Sequence, residues 1–142
     1  MSEPTNPAGE KPVVDHIGVV VPDLDAAIDL FTKVFGAGPA LTKELPDVGL
    51  RIAEFAAANV TVELLQYTGE NDGFAKDVMG EAPGVNHISF RVDALGAATK
   101  AVEAAGAKTM AGFPRQGAHG QVVFFEPAST GGVRFELCEP DG

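Results

Sequence analysis

The chain repeats itself. The run DHIGVVVPDLDAAIDLFTKVFGAG returns as NHISFRVDALGAATKAVEAAGA, and VTVELLQY returns as VRFELCEP. His16 lies 71 residues before His87, and Glu63 lies 73 before Glu136. An offset held to two residues over both landmarks implies two copies of one supersecondary unit, neither of which buries its apolar face alone. In each copy an extended apolar segment follows the His, over 17–21 and 88–92. A helical pattern comes next. Leu24, Ala27, Ile28, Phe31 and Val34 recur at three- and four-residue spacing behind Asp23 as N-cap. Leu95, Ala98, Val102 and Ala105 do the same, with Gly106 as the stop. Residues 49–57 and 121–125 are strand candidates ahead of the closing strands.

Each copy therefore reads as a strand, a helix and then two or three strands, an α+β arrangement. Module one spans 13–69 and module two 84–139, within a single domain over 13–142. A polar linker over 70–83 separates them, with a short helix at 74–79. Residues 1–12 carry three prolines and no apolar periodicity, and are expected to form a flexible tail. Composition narrows the function classes. A formal charge of −10 excludes a nucleic-acid or anionic-membrane surface, since either needs a basic stripe. With 45% apolar residues the 142-residue chain has a core to bury, and no run reaches the ~20 apolar residues of a membrane span. The lone Cys138 excludes an intrachain disulfide and a Cys-rich zinc site. A cytoplasmic protein is expected.

Strand parity sharpens the site. Alternate residues face opposite ways, so His16 and Gly18 share one face while Ile17, Val19 and Val21 share the other. Glu63, His87 and Glu136 likewise oppose uniformly apolar neighbours. Packing the modules side by side brings the four polar faces onto one concavity. Two imidazoles and two carboxylates there suit one divalent ion, and the set does not choose among Co, Mn, Ni, Zn and Mg. Two open positions would favour a Lewis acid acting on a carbonyl. Any one of these residues alone is more commonly a solvated strand-edge group. Four in repeat-related places weigh the other way, because burying two carboxylates without a cation is expensive.

These runs resemble the vicinal-oxygen-chelate (glyoxalase/bleomycin-resistance) superfamily, and within it the methylmalonyl-CoA epimerases. The likeness extends from Val13 to Glu139 through DHIGVVVPDLDAA, VTVELLQ, GVNHISFRVD and PRQGAHGQVVFFEPASTGGVRFELCE. It implies an α+β fold of two tandem βαβββ modules whose strands form a cupped mixed sheet around a metal site, with helices outside, and that His16, Glu63, His87 and Glu136 are the metal ligands. It also implies epimerisation of a 2-substituted malonyl-type acyl-CoA thioester through a metal-stabilised enolate, by a homodimer. Glu63 and Glu136 are the expected acid/base pair, with Glu54 as the outside candidate.

The sequence also departs from that pattern. Bacterial epimerases often place a catalytic Glu three residues after the glycine of a Gly-Val-(Arg/Val)-Glu strand, where GLRIAEF has Ile52. Glu54 is the replacement on the same strand face. The family's His-His pair is Asn86-His87, and its Leu-His-Pro-Lys is Phe125-Glu126-Pro127-Ala128. Losing that Lys weakens a CoA-phosphate or carboxylate contact at this edge. Among the remaining polar residues, Arg115 is expected to be a solvated loop residue, His119 a loop residue lining the entrance, and the 129–132 run STGG a turn. Cys138 is expected to be an ordinary buried thiol, with no Ser/His/Asp or Cys/His arrangement. The alternatives are a glyoxalase I-like lyase acting on a glutathione hemithioacetal, and a non-catalytic binding protein of the bleomycin-resistance type. A complete ligand quartet argues against the latter.

Overall fold

The computed structural model describes residues 11–142, so the expected tail lies outside the described residues except for Lys11 and Pro12. Strand β1 (Val13–Val20) leads into helix α1 (Leu24–Phe35) and strands β2 (Leu41–Leu45), β3 (Leu50–Ala56) and β4 (Thr61–Tyr67). After α2 (Gly73–Met79), the series recurs as β5 (Gly84–Arg91), α3 (Leu95–Ala104), β6 (Arg115–Gln116), β7 (Gly120–Phe124) and β8 (Phe135–Pro140). Both copies are βαβββ. In the first the strand order is β2-β3-β4-β1, with β1 and β4 parallel and the other pairs antiparallel. The second matches it as β6-β7-β8-β5, with β5 and β8 parallel. The fold class is thus α+β with mixed pairing, as the repeat implies. Among the described residues no helix is long and apolar enough to cross a membrane.

Each copy buries the face that parity assigns to the helix. In the first, Leu24 of α1 packs with Ala53, Phe55 and Leu64, flanked by Val19, Val21, Ala27, Ile28, Phe31 and Val62. In the second, Leu95, Ala98 and Val102 of α3 meet Val123, Phe125 and Leu137, flanked by Phe90, Val92 and Phe135. Truncating a fully buried aromatic such as Phe55 to Ala costs about 3–5 kcal/mol at sites of this kind. Helix α1 starts where Asp23, in extended conformation, accepts the Ala26 N–H at 3.1 Å. It stops at Gly36, whose φ of 74° is the left-handed conformation glycine adopts without strain.

Three elements differ from expectation. Strand β2 lies in a segment, LTKEL, that is almost wholly exposed, and an edge strand wet on both faces carries no apolar alternation to read. Strand β6 occupies two residues of the irregular run 114–120, held by pairing with β7. Helix α2, inside the polar linker, begins at Gly73 and buries Ala75, Val78 and Met79, so part of that linker is packed.

By contact density the described chain falls into two units, His16–His87 and the remainder comprising residues 11–15 and 88–142. His87 thus belongs with His16, and Asp15 with Glu136.

Candidate metal and acid–base site

In the first unit, pairing sets the geometry. Strand β1 runs parallel to β4 with Gly18 opposite Glu63, and antiparallel β3 places Glu54 opposite Glu63 and Ile52 opposite Leu65. Directly opposed residues share a face, so His16, Gly18, Glu63, Glu54 and Ile52 stand on the side turned from α1. His16, Glu63 and His87 are 3%, 5% and 3% exposed. One ligand atom from each of the three lies within 4.8 Å of the other two. His16 Nε2 is 3.8 Å from a Glu63 carboxylate oxygen, and the two imidazole centroids are 5.6 Å apart at 82°.

Gly18 makes that grouping possible. A Cβ built at Gly18 would fall inside the van der Waals radius of the His87 imidazole, so no larger residue leaves the ring where it stands. Two nitrogen donors and one carboxylate fit a borderline-to-hard divalent ion. Glu63 lies across from Glu54 in the sheet register, a like-charge cross-strand pair that a bound cation would offset. The donor set and the glycine cradle both suit a metal.

The second unit supplies the remaining polar groups. Glu136, 5% exposed, lies in register with Ser89, whose hydroxyl donates to a Glu136 carboxylate oxygen at 2.6 Å. Asp15, buried, is held by Arg91 Nε at 3.1 Å, and His119 Nε2 lies 2.9 Å from its other oxygen. The β6–β7 loop residue His119 is therefore tied to the base of β1. It is also hydrogen-bonded to Cys138, so an Asp–His–Cys contact exists that sequence did not reveal. It aligns three residues 104 and 19 positions apart, and no local spacing announces it. Burial pushes the Cys138 thiol up in pKa, against the hydrogen bond from His119, so the thiol stays neutral and is not an activated nucleophile. The expectation of an ordinary buried thiol stands. Arg115 is half-buried in β6 rather than in an open loop.

Sequence reasoning passed over Asn86 and Ser89 as site residues. Asn86 donates its amide N–H to the Met79 carbonyl at 2.7 Å, and its oxygen lies 2.9 Å from His87 Nδ1. The repeat offset held the signal, since it aligns Asn86 with Asp15 and Ser89 with Gly18.

Known proteins resemble this chain in sequence and in fold. An ethylmalonyl-CoA/methylmalonyl-CoA epimerase of Cereibacter sphaeroides is 32% identical over 127 residues, covering 87% of this chain and 95% of that one. A mitochondrial methylmalonyl-CoA epimerase of Mus musculus is 30% identical over 128 residues, covering 87% and 71%. Among solved structures, a methylmalonyl-CoA epimerase from Mycobacterium tuberculosis superposes with a TM-score of 0.79 at 28% identity, covering 92% and 89%. A hypothetical protein from Bacillus halodurans gives 0.82 at 26% identity, covering 94% and 97%. The profile of one family matches residues 15–125, which include both repeat His residues, Glu63 and the β1-to-β7 framework that carries them. With the doubled βαβββ architecture and these relatives, that match places the chain in the glyoxalase/bleomycin resistance protein/dioxygenase superfamily.

Proposed function

We propose that the chain is a metal-dependent epimerase of methylmalonyl-CoA or a closely related 2-substituted malonyl-type thioester. The observation that supports it is the buried grouping of His16, Glu63 and His87 in a chain whose relatives carry epimerase names. Those three residues are the proposed ligands in the first unit. Glu136 is the proposed fourth, because the repeat aligns it with Glu63. A divalent ion held by them supplies a Lewis acid for the thioester carbonyl, which acidifies the carbon between the two carbonyl groups.

The chain's own residues handle the proton. Ser89 fixes one oxygen of Glu136 with a short hydroxyl hydrogen bond, and Glu136, loosened from the ion, takes or returns the proton at C2. Glu63 is its repeat-related counterpart and serves the opposite face. Ile52, 3% exposed, has no group that could transfer a proton. Glu54, half-buried and opposite Glu63, is the reserve base on that strand. A homodimer and a cytoplasmic location accompany this reading.

The test is proton–deuterium exchange at C2 across a small panel of acyl-CoA esters, run with metal-free and metal-loaded protein. Methylmalonyl-CoA or a near relative should exchange only when Co, Ni, Mn or Zn is present. A fully metallated protein that exchanges none of the esters would overturn the proposal, and a glutathione hemithioacetal would be tried next.

A further inference from the structure

Helix α2 ends at Met79, and its last carbonyls have no partner inside the helix. The Met79 carbonyl takes the side-chain amide of Asn86 at 2.7 Å. A carbonyl only accepts, so the atom facing it must be the amide nitrogen and not the oxygen. This fixes the amide orientation, which turns the Asn86 oxygen toward His87 Nδ1 at 2.9 Å. That oxygen also only accepts. His87 Nδ1 must then carry a hydrogen, and in the neutral ring Nε2 is left with the lone pair.

We infer that Asn86 is a positioning residue that transmits the end of α2 to His87, setting both its tautomer and its ring orientation. Gly18 clears the space and Asn86 turns the ring within it. An orienting partner on a ligand imidazole contributes a factor of about 10–100 in metal affinity. The affinity part rests on the proposed metal site; the tautomer part does not. The same logic predicts that a His at position 86 would serve as well as Asn. Histidine and asparagine each offer one donor and one acceptor side, so either bridges a carbonyl and an imidazole N–H.

The experiment is two-bond proton–nitrogen NMR on the metal-free protein above neutral pH, paired with Co²⁺ titration of parent, Asn86→Ala and Asn86→His chains. The parent should show His87 with hydrogen on Nδ1. Asn86→Ala should give a tautomer mixture and bind Co²⁺ about 10–100-fold more weakly. Asn86→His should restore both. Hydrogen on Nε2 in the parent, or an undisturbed Nδ1–H tautomer in Asn86→Ala, overturns the inference. If the tautomers behave as stated but the parent binds none of the offered Co²⁺, the metal reading fails and the positioning role of Asn86 stands.

Discussion

The two βαβββ copies share a frame and differ at the positions that face the chemistry. In each, a parallel pair joins the first strand to the last, and a side chain from the last strand reaches the first helix: Gln66 accepts the Leu24 N–H at 2.7 Å, and Glu139 accepts the Leu95 N–H at 2.9 Å. That device survived duplication with only an amide-for-carboxylate exchange. The positions beside the glutamates diverged. Opposite Glu63 stands Gly18, which admits the His87 ring; opposite Glu136 stands Ser89, which grips the carboxylate. Before each His, Asn86 orients its neighbour, while Asp15 binds Arg91 and His119 instead. The two copies thus keep one frame and differ in small side chains: Gly18 leaves room for a ring in the first, and Ser89 holds a carboxylate in the second.

The sharpest way to break the comparison is to neutralise Glu136 and Glu54 separately. Glu136→Gln should lower C2 exchange by about 10²-fold or more, the scale of one acid/base group. Glu54→Gln should retain most activity. Metal content must be measured alongside, since Glu136 is also a proposed ligand. Loss of exchange in Glu54→Gln with metal still bound would move the base to the strand that carries Ile52. Ile52→Glu should then raise the rate by restoring the bacterial pattern.

The next test exchanges the diverged pair. Gly18→Ser writes the second copy's residue into the first, and its Cβ has no place to go except into His87. Metal affinity should fall at least 100-fold as the ring is displaced. Ser89→Ala deletes a hydrogen bond to a charged acceptor, a contribution of about 1.5–3 kcal/mol, and should act on exchange rate more than on metal affinity. Equal effects of the two changes on metal affinity would contradict the division of labour.

How much of this was legible in the sequence follows the range of each interaction. Helix α1 was readable because its apolar spacing and its Asp23 cap lie within a few residues of one another. The grouping of His16, Glu63 and His87 was readable because the repeat numbers them and strand parity points them. Strand β2 was not, since its order comes from pairing with β3 and not from burial. Nor were the Asn86 and His119 contacts. The first depends on where α2 ends, seven residues upstream, and the second joins residues 104 positions apart. Aligning the copies residue by residue marks those positions as divergent, yet only the folded chain says what each divergence touches.

The smallest expected effect probes what the copies kept. Gln66 and Glu139 each satisfy a first-turn N–H, which otherwise has no intrahelical partner. Helix α1 has a second N-terminal acceptor in Asp23, whereas α3 begins at Ala94 with no side-chain cap bond of its own. Removing the shared device should therefore hurt the second copy more. Glu139→Ala should cost about 1 kcal/mol or somewhat more, and Gln66→Ala less than that, on the scale of N-cap losses. Chemical denaturation of both variants at one fixed pH checks this, with slopes unchanged so that midpoints compare directly. Writing Ala94→Asp into the Glu139→Ala background gives α3 the cap that α1 already has. It should recover most of the loss, while the same addition in the parent should gain little. If Gln66→Ala proves the costlier of the two, Asp23 is not the redundant cap at α1 that its 3.1 Å bond to Ala26 indicates.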